Sequence, residues 1–267
     1  MNIFLKTEDE IELMREANLL VGKTLAEVGR HVKPGVSTLQ LDKIAEEFIC
    51  DNGAIPTFKG FPSSYGTPFP GSICASVNDV VVHGVPSEDV VLKDGDIISI
   101  DCRALLNGFN GDSCYTFCVG EVSEDIMNLL RATKESLYKG IEVAEAGHHV
   151  GDIGHVIQDY CQAQGYGIVR ELTGHGIGRE MHEDPSIPNY GKRGTGVLLK
   201  VGMCIAIEPM VTMGNREIGL LPDHWSIVTR DHRPAAHFEH TIAIRAGKAD
   251  ILSSFEEVEH LEGQNFN

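Results

Sequence analysis

The sequence has little positive charge and no long apolar run. Its 22 lysines and arginines face 39 aspartates and glutamates, which gives a formal net charge of −17 at pH 7. This balance argues against nucleic-acid and anionic-membrane surfaces, because both carry negative charge themselves. No apolar stretch approaches the roughly 20 residues that span a bilayer, and the apolar start is too short for a signal peptide. We therefore expect a cytoplasmic protein without a nucleic-acid or membrane partner.

Paired cysteines are also missing. The seven cysteines are odd in number, and no two of them are spaced as C-x-x-C. Cys102, Cys114 and Cys204 lie within predicted strands, where a small buried thiol is common. Reduced thiols are therefore expected rather than disulfides, in keeping with a cytoplasmic compartment.

One phrase of the sequence, by contrast, is present twice. Leu92–Asp101 reads LKDGDIISID and Leu199–Glu208 reads LKVGMCIAIE, and each leads from a loop glycine through an apolar run to a carboxylate. The preceding helix pairs also match when Gly35 is aligned with Gly147. A unit that occurs twice predicts two-fold internal symmetry rather than a solenoid. The predicted bounds are a single catalytic domain over 1–267, internal repeats at about 8–120 and 121–245, and an acidic C-terminal tail at 247–267.

Local signals place helices and strands around this repeat. Thr7 with Glu10 and Ser37 with Gln40 form capping-box patterns, which predict that a helix begins after each of them. The segment Pro62–Gly71 is expected to be a loop because of its prolines and glycines, and the tail is expected to be loosely held. Strands are predicted at 75–82, 96–104, 109–119, 203–208, 226–229 and 237–244. This order of elements predicts an α+β fold with helices packed outside a sheet.

The turn Asn107-Gly108 predicts a tight hairpin that brings two carboxylates together. The hairpin places Asp101 opposite Cys114, so Asp112 becomes the diagonal neighbour of Asp101 at roughly 7–8 Å on the same face. Two like charges on one buried surface repel each other unless a cation lies between them. The first repeat therefore predicts half of a metal site.

The second repeat offers the other half. Glu208 ends its strand as Asp101 does, and Glu239 is the counterpart of Asp112 on a following strand. His175-Gly176 matches His83-Gly84, although spacing alone assigns His83 no role. A single strand-end carboxylate is usually a solvated turn residue, but the same order of groups in both halves argues for a shared site.

The chemistry of these groups suggests hydrolysis. Carboxylate and imidazole ligands suit manganese, iron(II), cobalt or zinc, and four negative charges balance two divalent ions. Two such ions could hold a shared hydroxide of lowered pKa, aimed at a carbonyl that one ion polarises. The hypothesis is therefore metal-assisted hydrolysis.

Several motifs also resemble those of a known family. They are Ser76–Pro86, the hairpin Asp101–Asp112, Thr173–Arg179 with Met181–Pro185, Ile207–Met210 and Phe238–Thr241. Together they resemble the type I methionine aminopeptidases, which have the pita-bread metallopeptidase fold, over about residues 8–245. The resemblance implies a pseudo-two-fold arrangement of helix pairs around a central antiparallel sheet.

The resemblance also implies roles for individual residues. The metal ligands would be Asp101, Asp112, His175, Glu208 and Glu239. Asp112 and Glu239 would bridge the two ions, and Glu208 would take a proton from the bridging water. His83 and His182 would contact the scissile amide and its carbonyl. The substrate would be the free N-terminal methionine of a nascent polypeptide whose second residue is small.

By the same resemblance, a closed apolar pocket would accept the methionine side chain. Its residues would be Phe58, Phe61, Cys74, Met181 and Trp225. Phenylalanine stands at 58 and 61 where tyrosine is frequent in the family, and the Pro62–Gly71 loop looks like an insertion beside the pocket. The implied partners are nascent chains and the ribosome that makes them, and a monomer is expected.

Other functions remain as alternatives. An X-Pro dipeptidase or aminopeptidase P-like enzyme uses a similar ligand set, but its usual extra N-terminal domain is absent here. A type II methionine aminopeptidase would need a long insertion between His175 and His237, and the 63 residues over this span leave little room. A binding module that has lost catalysis should lack a ligand, whereas all five are present.

Overall fold

The computed structural model describes residues 2–63 and 65–263. Its helices are α1 (Glu8–Gly29), α2 (Thr38–Asp51), α3 (Glu124–Glu142), α4 (Val150–Ala163) and α5 (Glu256–Glu262). Its strands are β1 (Ile55–Pro56), β2 (Ile73–Val77), β3 (Val80–Val82), β4 (Ile97–Leu106), β5 (Phe109–Cys118), β6 (Gly167–Ile168), β7 (Thr173–Gly176), β8 (Glu183–Pro188), β9 (Cys204–Ile207), β10 (Met210–Thr212), β11 (Ile218–Leu220), β12 (Ile227–Thr229), β13 (Ala235–His237), β14 (Glu239–Ala243) and β15 (Asp250–Ile251).

The first two helices begin where the capping boxes predict. The Thr7 hydroxyl accepts the backbone N–H of Glu10 at 3.3 Å, and the Glu10 carboxylate accepts the backbone N–H of Thr7 at 3.0 Å. Ser37 and Gln40 form the same pair of bonds before α2, at 3.3 and 2.9 Å. Each box satisfies two N–H groups that a helix start would otherwise leave unpaired.

A nine-stranded antiparallel sheet forms the centre of the fold. Its strands run in the order β1-β4-β5-β14-β9-β7-β8, with β2 paired to β4 and β15 to β14. Asn107 and Gly108 both have positive φ, 53° and 80°, as a two-residue hairpin turn of this type requires. Asp101 pairs with Cys114 in the register that the turn predicts. The predicted α+β class and the hairpin are therefore confirmed.

Helix α1 packs closely against the middle of this sheet. A Cβ atom on Gly111 would lie 2.5 Å from the carbonyl carbon of Ala17, so only glycine permits this approach. Next to it, the Asn18 side-chain oxygen accepts the backbone N–H of Asp112 at 3.1 Å. The helix therefore holds the backbone of Asp112 through a hydrogen bond that is separate from the pairing of the strands.

Two predicted strands are interrupted in the structure. The segment 75–82 contains a turn at Asn78, whose φ is 51°, so β2 remains in the central sheet while β3 pairs with β12 in a small one. The segment 237–244 breaks at Phe238, where β13 joins β10 and β14 enters the central sheet. Alternating composition did not reveal these breaks because each half-strand is buried by a different partner.

The expectation of a loosely held tail is wrong for the part of it that the structure describes. Strand β15 pairs with β14, and Leu252, Phe255 and Val258 are buried. The Phe255 ring stacks on His240 at 3.9 Å between centroids and meets Tyr115 at 4.9 Å. The acidic residues lie on the outside of an apolar stripe, so average composition concealed the packing. Residues 264–267 lie outside the described residues.

Among the helices that the structure describes, none has both the length and the apolar character that crossing a bilayer requires.

We expect Phe255→Ala to lower the free energy of unfolding by about 3 kcal/mol, because it removes a buried aromatic side chain and leaves a cavity. Urea unfolding followed by circular dichroism measures this change. The matched control is Leu261→Ala, on the exposed face of the same helix, which should change stability by less than about 0.5 kcal/mol. Equal, small effects of both substitutions would show that the C-terminal segment contributes little to the core.

Candidate metal centre

Three neighbouring strands align carboxylates in the middle of the sheet. Asp101 on β4 pairs with Cys114 on β5, and Cys114 in turn pairs with Glu239 on β14. Asp112 lies two residues before Cys114 and therefore points to the same face of the sheet. Asp101 is 5% exposed, and Asp112 and Glu239 are fully buried. The sheet thus concentrates negative charge in its interior.

His175 and Glu208 complete the group from the adjoining strands. The Nε2 atom of His175, on β7, lies 3.4 Å from Oδ2 of Asp112 and 3.7 Å from Oε1 of Glu208, which directly follows β9. Possible ligand atoms of Asp112, His175 and Glu239 all lie within 4.8 Å of one another. The five residues singled out in the sequence therefore face one centre.

The protonation of His175 is set by its other ring nitrogen. Nδ1 lies 2.9 Å from the carbonyl oxygen of Gly176, so it donates a hydrogen bond there and must carry the proton. Nε2 is then left with a lone pair that faces the carboxylates. This is the tautomer that a histidine uses to bind a metal ion.

Several carboxylate oxygens at the centre lack the partners that burial normally demands. Within the described chain, Oδ1 of Asp101, Oδ1 of Asp112 and both oxygens of Glu239 accept no hydrogen bond, whereas Oδ2 of Asp112 lies against the Arg103 guanidinium. Buried oxygens without a hydrogen-bond partner lower the stability of the folded protein. Because they are hard donors beside an imidazole lone pair, the residues fit divalent metal ions.

Burial and mutual repulsion shift the pKa values of these carboxyl groups in different directions. Burial raises the pKa of Asp101 to about 7, despite the nearby Arg103 guanidinium. Burial and the charges of Asp112 and Glu208 raise the pKa of Glu239 well above its ordinary value. Burial also favours a higher pKa for Asp112. Arg103 and His175 outweigh this effect and hold the pKa of Asp112 below its usual range.

Arg103 is a component of the centre that the sequence reasoning missed. Its Nε lies 2.7 Å from Oδ2 of Asp112 as an ion pair, and its side chain is only 5% exposed. One terminal nitrogen donates to Nε2 of His182 at 2.8 Å and the other to Nε2 of His175 at 3.2 Å. Strand alternation could have revealed it, because residue 103 shares its face with Asp101 and pairs with Asp112.

His83 and His182, the two histidines to which the family resemblance gives a non-ligand role, border the same centre. A cavity of about 600 Å³ opens over it, lined by His83, His182, Glu208 and His237 among others. Burial and the Arg103 charge lower the pKa of His83 to about 4, and the same two causes lower the pKa of His182. Both rings are therefore neutral at pH 7.

His237 was also missed by the sequence reasoning. It is 1% exposed, and its Nε2 lies 3.5 Å from Oε2 of Glu208. Strand alternation could have revealed it, because His237 lies two residues before Glu239 in the predicted strand 237–244 and therefore shares its face.

A separate apolar cluster lies beside the centre. Phe58, Phe69 and Cys74 form its buried core, with Phe61 and Trp225 packed against them. Phe69 comes from the predicted loop, and the Trp225 indole N–H donates to the carbonyl of Thr67 in the same loop at 3.1 Å. Among the residues that the structure describes, Met181 does not belong to this cluster. Four of the five predicted pocket residues are therefore brought together, and the loop supplies Phe69 instead.

Comparison with known proteins places this geometry in context. The profile of metallopeptidase family M24 matches residues 12–246. Methionine aminopeptidase 1 of Bacillus subtilis (strain 168) is 51% identical over 251 residues, which cover 94% of this chain and 99% of the relative. Methionine aminopeptidase of Escherichia coli (strain K12) is 40% identical over 254 residues, covering 95% and 94%.

Solved structures give the same grouping. Methionine aminopeptidase from Rickettsia prowazekii superposes with a TM-score of 0.91 at 42% identity, over 95% of this chain and 100% of that one. An Xaa-Pro dipeptidase from Bacillus anthracis superposes with a TM-score of 0.75 at 23% identity, over 94% of this chain and 62% of that one, which shows a shared fold alone. The predicted pita-bread fold is confirmed.

Glu239→Gln should stabilise the metal-free protein increasingly as the pH rises. The folded state holds the pKa of Glu239 above its unfolded value, so folding binds a proton and the free energy of unfolding falls with rising pH. The loss is at most about 1.4 kcal/mol per pH unit for this one group, and glutamine removes it. Urea unfolding in the presence of a chelator, at about pH 6 and about pH 8, measures the difference.

Glu257→Gln is the control, because this glutamate is exposed on α5. Its unfolding should keep the pH dependence of the unsubstituted protein. If Glu239→Gln keeps that dependence too, burial does not disfavour the charged form of Glu239.

Proposed function

Because the chain belongs to metallopeptidase family M24, and within it to the methionine aminopeptidases, we propose which of its residues carry out the hydrolysis and on what substrate. The observation that supports the assignment is the convergence of four carboxylates and one histidine lone pair on a single buried centre. Their unpartnered oxygens call for cations, and neutral histidines border the cavity above them.

Five residues would hold the divalent metal ions that the family uses: Asp101, Asp112, His175, Glu208 and Glu239. When bound, such ions lower the pKa of a water molecule and polarise the carbonyl of the bond to be cleaved. Cobalt, manganese, iron(II) and zinc all suit this donor set. Charge balance of the carboxylates alone predicts two ions, and Arg103 adds a positive charge that this count leaves out.

The remaining steps belong to side chains of the protein. Glu208 would accept the proton of the attacking water and pass it to the leaving amine, since its carboxylate lies between the centre and the cavity. His83 and His182 can each donate one ring N–H to the scissile amide or its carbonyl, because both rings are neutral at pH 7.

We also propose that the substrate is the free N-terminal methionine of a polypeptide whose second residue is small. The cluster of Phe58, Phe61, Phe69, Cys74 and Trp225 offers an apolar compartment beside the centre. The acidic centre favours the α-ammonium of an unblocked chain. Nascent chains at the ribosome would supply such substrates to a monomeric, single-domain enzyme in the cytoplasm.

The substrate proposal predicts that methionine is released from Met-Ala-Ser in preference to alanine from Ala-Pro-Gly or methionine from Met-Pro. The apolar compartment should select methionine as the first residue, whereas an X-Pro enzyme selects for proline at the second position. Amino-acid release is measured under anaerobic conditions with several added metals, and again with a chelator. A preference for Ala-Pro-Gly would favour the X-Pro alternative, and activity that survives chelation would contradict metal dependence.

His83→Ala should lower kcat by about 100-fold or more, because it removes a donor that acts on the reacting amide. Metal content should stay unchanged, since His83 is not among the proposed ligands. Peptide hydrolysis and elemental analysis of the desalted protein measure the two quantities. His232→Ala, at a 75% exposed side chain, is the matched control and should retain full activity. A variant at position 83 that loses metal along with kcat would indicate a ligand role instead.

A further inference from the structure

The metal centre contains a cation of its own. Arg103 lies on β4, a strand paired on both edges, with β1 and β2 on one side and β5 on the other. Because Asp112 is its direct partner across the β4–β5 pair, the backbone register aims the guanidinium into the carboxylate group. The position of the charge therefore follows from the sheet and not from a movable loop.

The guanidinium engages the same atoms that a metal ion would need. Its Nε lies 2.7 Å from Oδ2 of Asp112, and a terminal nitrogen donates to Nε2 of His175 at 3.2 Å. A divalent ion would approach this oxygen and this nitrogen to about 2.0–2.2 Å along the same lone pairs. The guanidinium and an ion on the Asp112–His175 side of the centre therefore exclude each other.

Arg103 is also held by contacts that do not involve the carboxylates. Its guanidinium lies over the buried Phe58 ring at 4.6 Å from the centroid, and it donates to His182 at 2.8 Å. An ion that displaces it must break these contacts and force a largely buried charge to a new position. Displacement should therefore lower the affinity of any ion that needs it.

The other side of the centre has no such competitor. Oδ1 of Asp101 and both oxygens of Glu239 lack a hydrogen-bond partner among the described residues. The direct contacts of the guanidinium with the proposed ligands are to Asp112 and His175, so these oxygens have no bound cation competing for them. The two halves of the centre are thus unequal toward a cation.

We propose that Arg103 competes with metal for Asp112 and His175, and so divides the centre into a strong metal site on the Asp101–Glu239 side and a weak one on the His175 side. The second ion enters only when it displaces the guanidinium. The inference rests on the proposed ligand set and adds to it a residue that regulates how many ions are bound. Arg103 acts here by competing with metal ions for their ligands.

Metal titration of the full chain tests this proposal. In the unsubstituted protein, calorimetry with Mn²⁺ under anaerobic conditions should show one tight equivalent and a second that is weaker by about tenfold to 100-fold. Arg103→Met keeps the apolar stem over Phe58 but removes the charge, so both equivalents should bind tightly. The electron paramagnetic resonance signal should accordingly pass from isolated to exchange-coupled Mn²⁺ at lower metal concentration in the variant.

Three further variants make the test specific. Arg103→Gln is a second neutral replacement in case methionine prevents folding, which circular dichroism detects. Arg103→Lys keeps a positive charge and should keep the second equivalent weak. Arg131→Met removes an arginine that pairs with Glu124 on the protein surface and should titrate like the unsubstituted protein.

Equal affinities for the second ion in the unsubstituted protein and in the neutral variants would overturn the proposal. So would a lysine variant that binds metal as the neutral variants do, because charge would then not be the cause. Failure of the enzyme assignment is a separate result: metal-loaded protein that releases no methionine while the titrations still differ would contradict the proposed function and leave the competition intact.

Discussion

Repulsion among buried carboxylates is the constraint around which this protein is organised. Asp101, Asp112 and Glu239 face the same side of the central sheet, and at most 5% of each is exposed. Such a group costs stability unless cations offset it. The surrounding structure holds it in place all the same: α1 approaches through Gly111 and fixes the Asp112 backbone, and the β4–β5 hairpin fixes the distance between the two aspartates.

Arg103 extends this constraint from the carboxylates to the groups above them. Its charge opposes burial at Asp112 and lowers the pKa of that carboxyl group, while it adds to burial at His83 and lowers the pKa of that ring. One guanidinium therefore helps to keep an acceptor charged and a histidine neutral within the same cavity.

The apolar compartment is held together by contacts between aromatic rings rather than by charge. Phe58 serves both regions, since its ring packs with Phe69 on one side and lies under the Arg103 guanidinium. The loop that contributes Phe69 is tied to Trp225 by ring contact at 5.2 Å and by the bond to Thr67. The apolar cluster and the Arg103 guanidinium consequently share one aromatic ring.

The sequence by itself determined the features that depend on near neighbours or on strict periodicity. Capping boxes set the helix starts, Asn107-Gly108 set the hairpin, and strand alternation placed Asp101 and Asp112 on one face. Tertiary structure decided which distant segments meet: His175 and His182 come to lie against Arg103, and Tyr115 packs against Phe255. These contacts depend on which strand or helix lies opposite, and a single sequence carries no local signal for partners that are far apart along the chain.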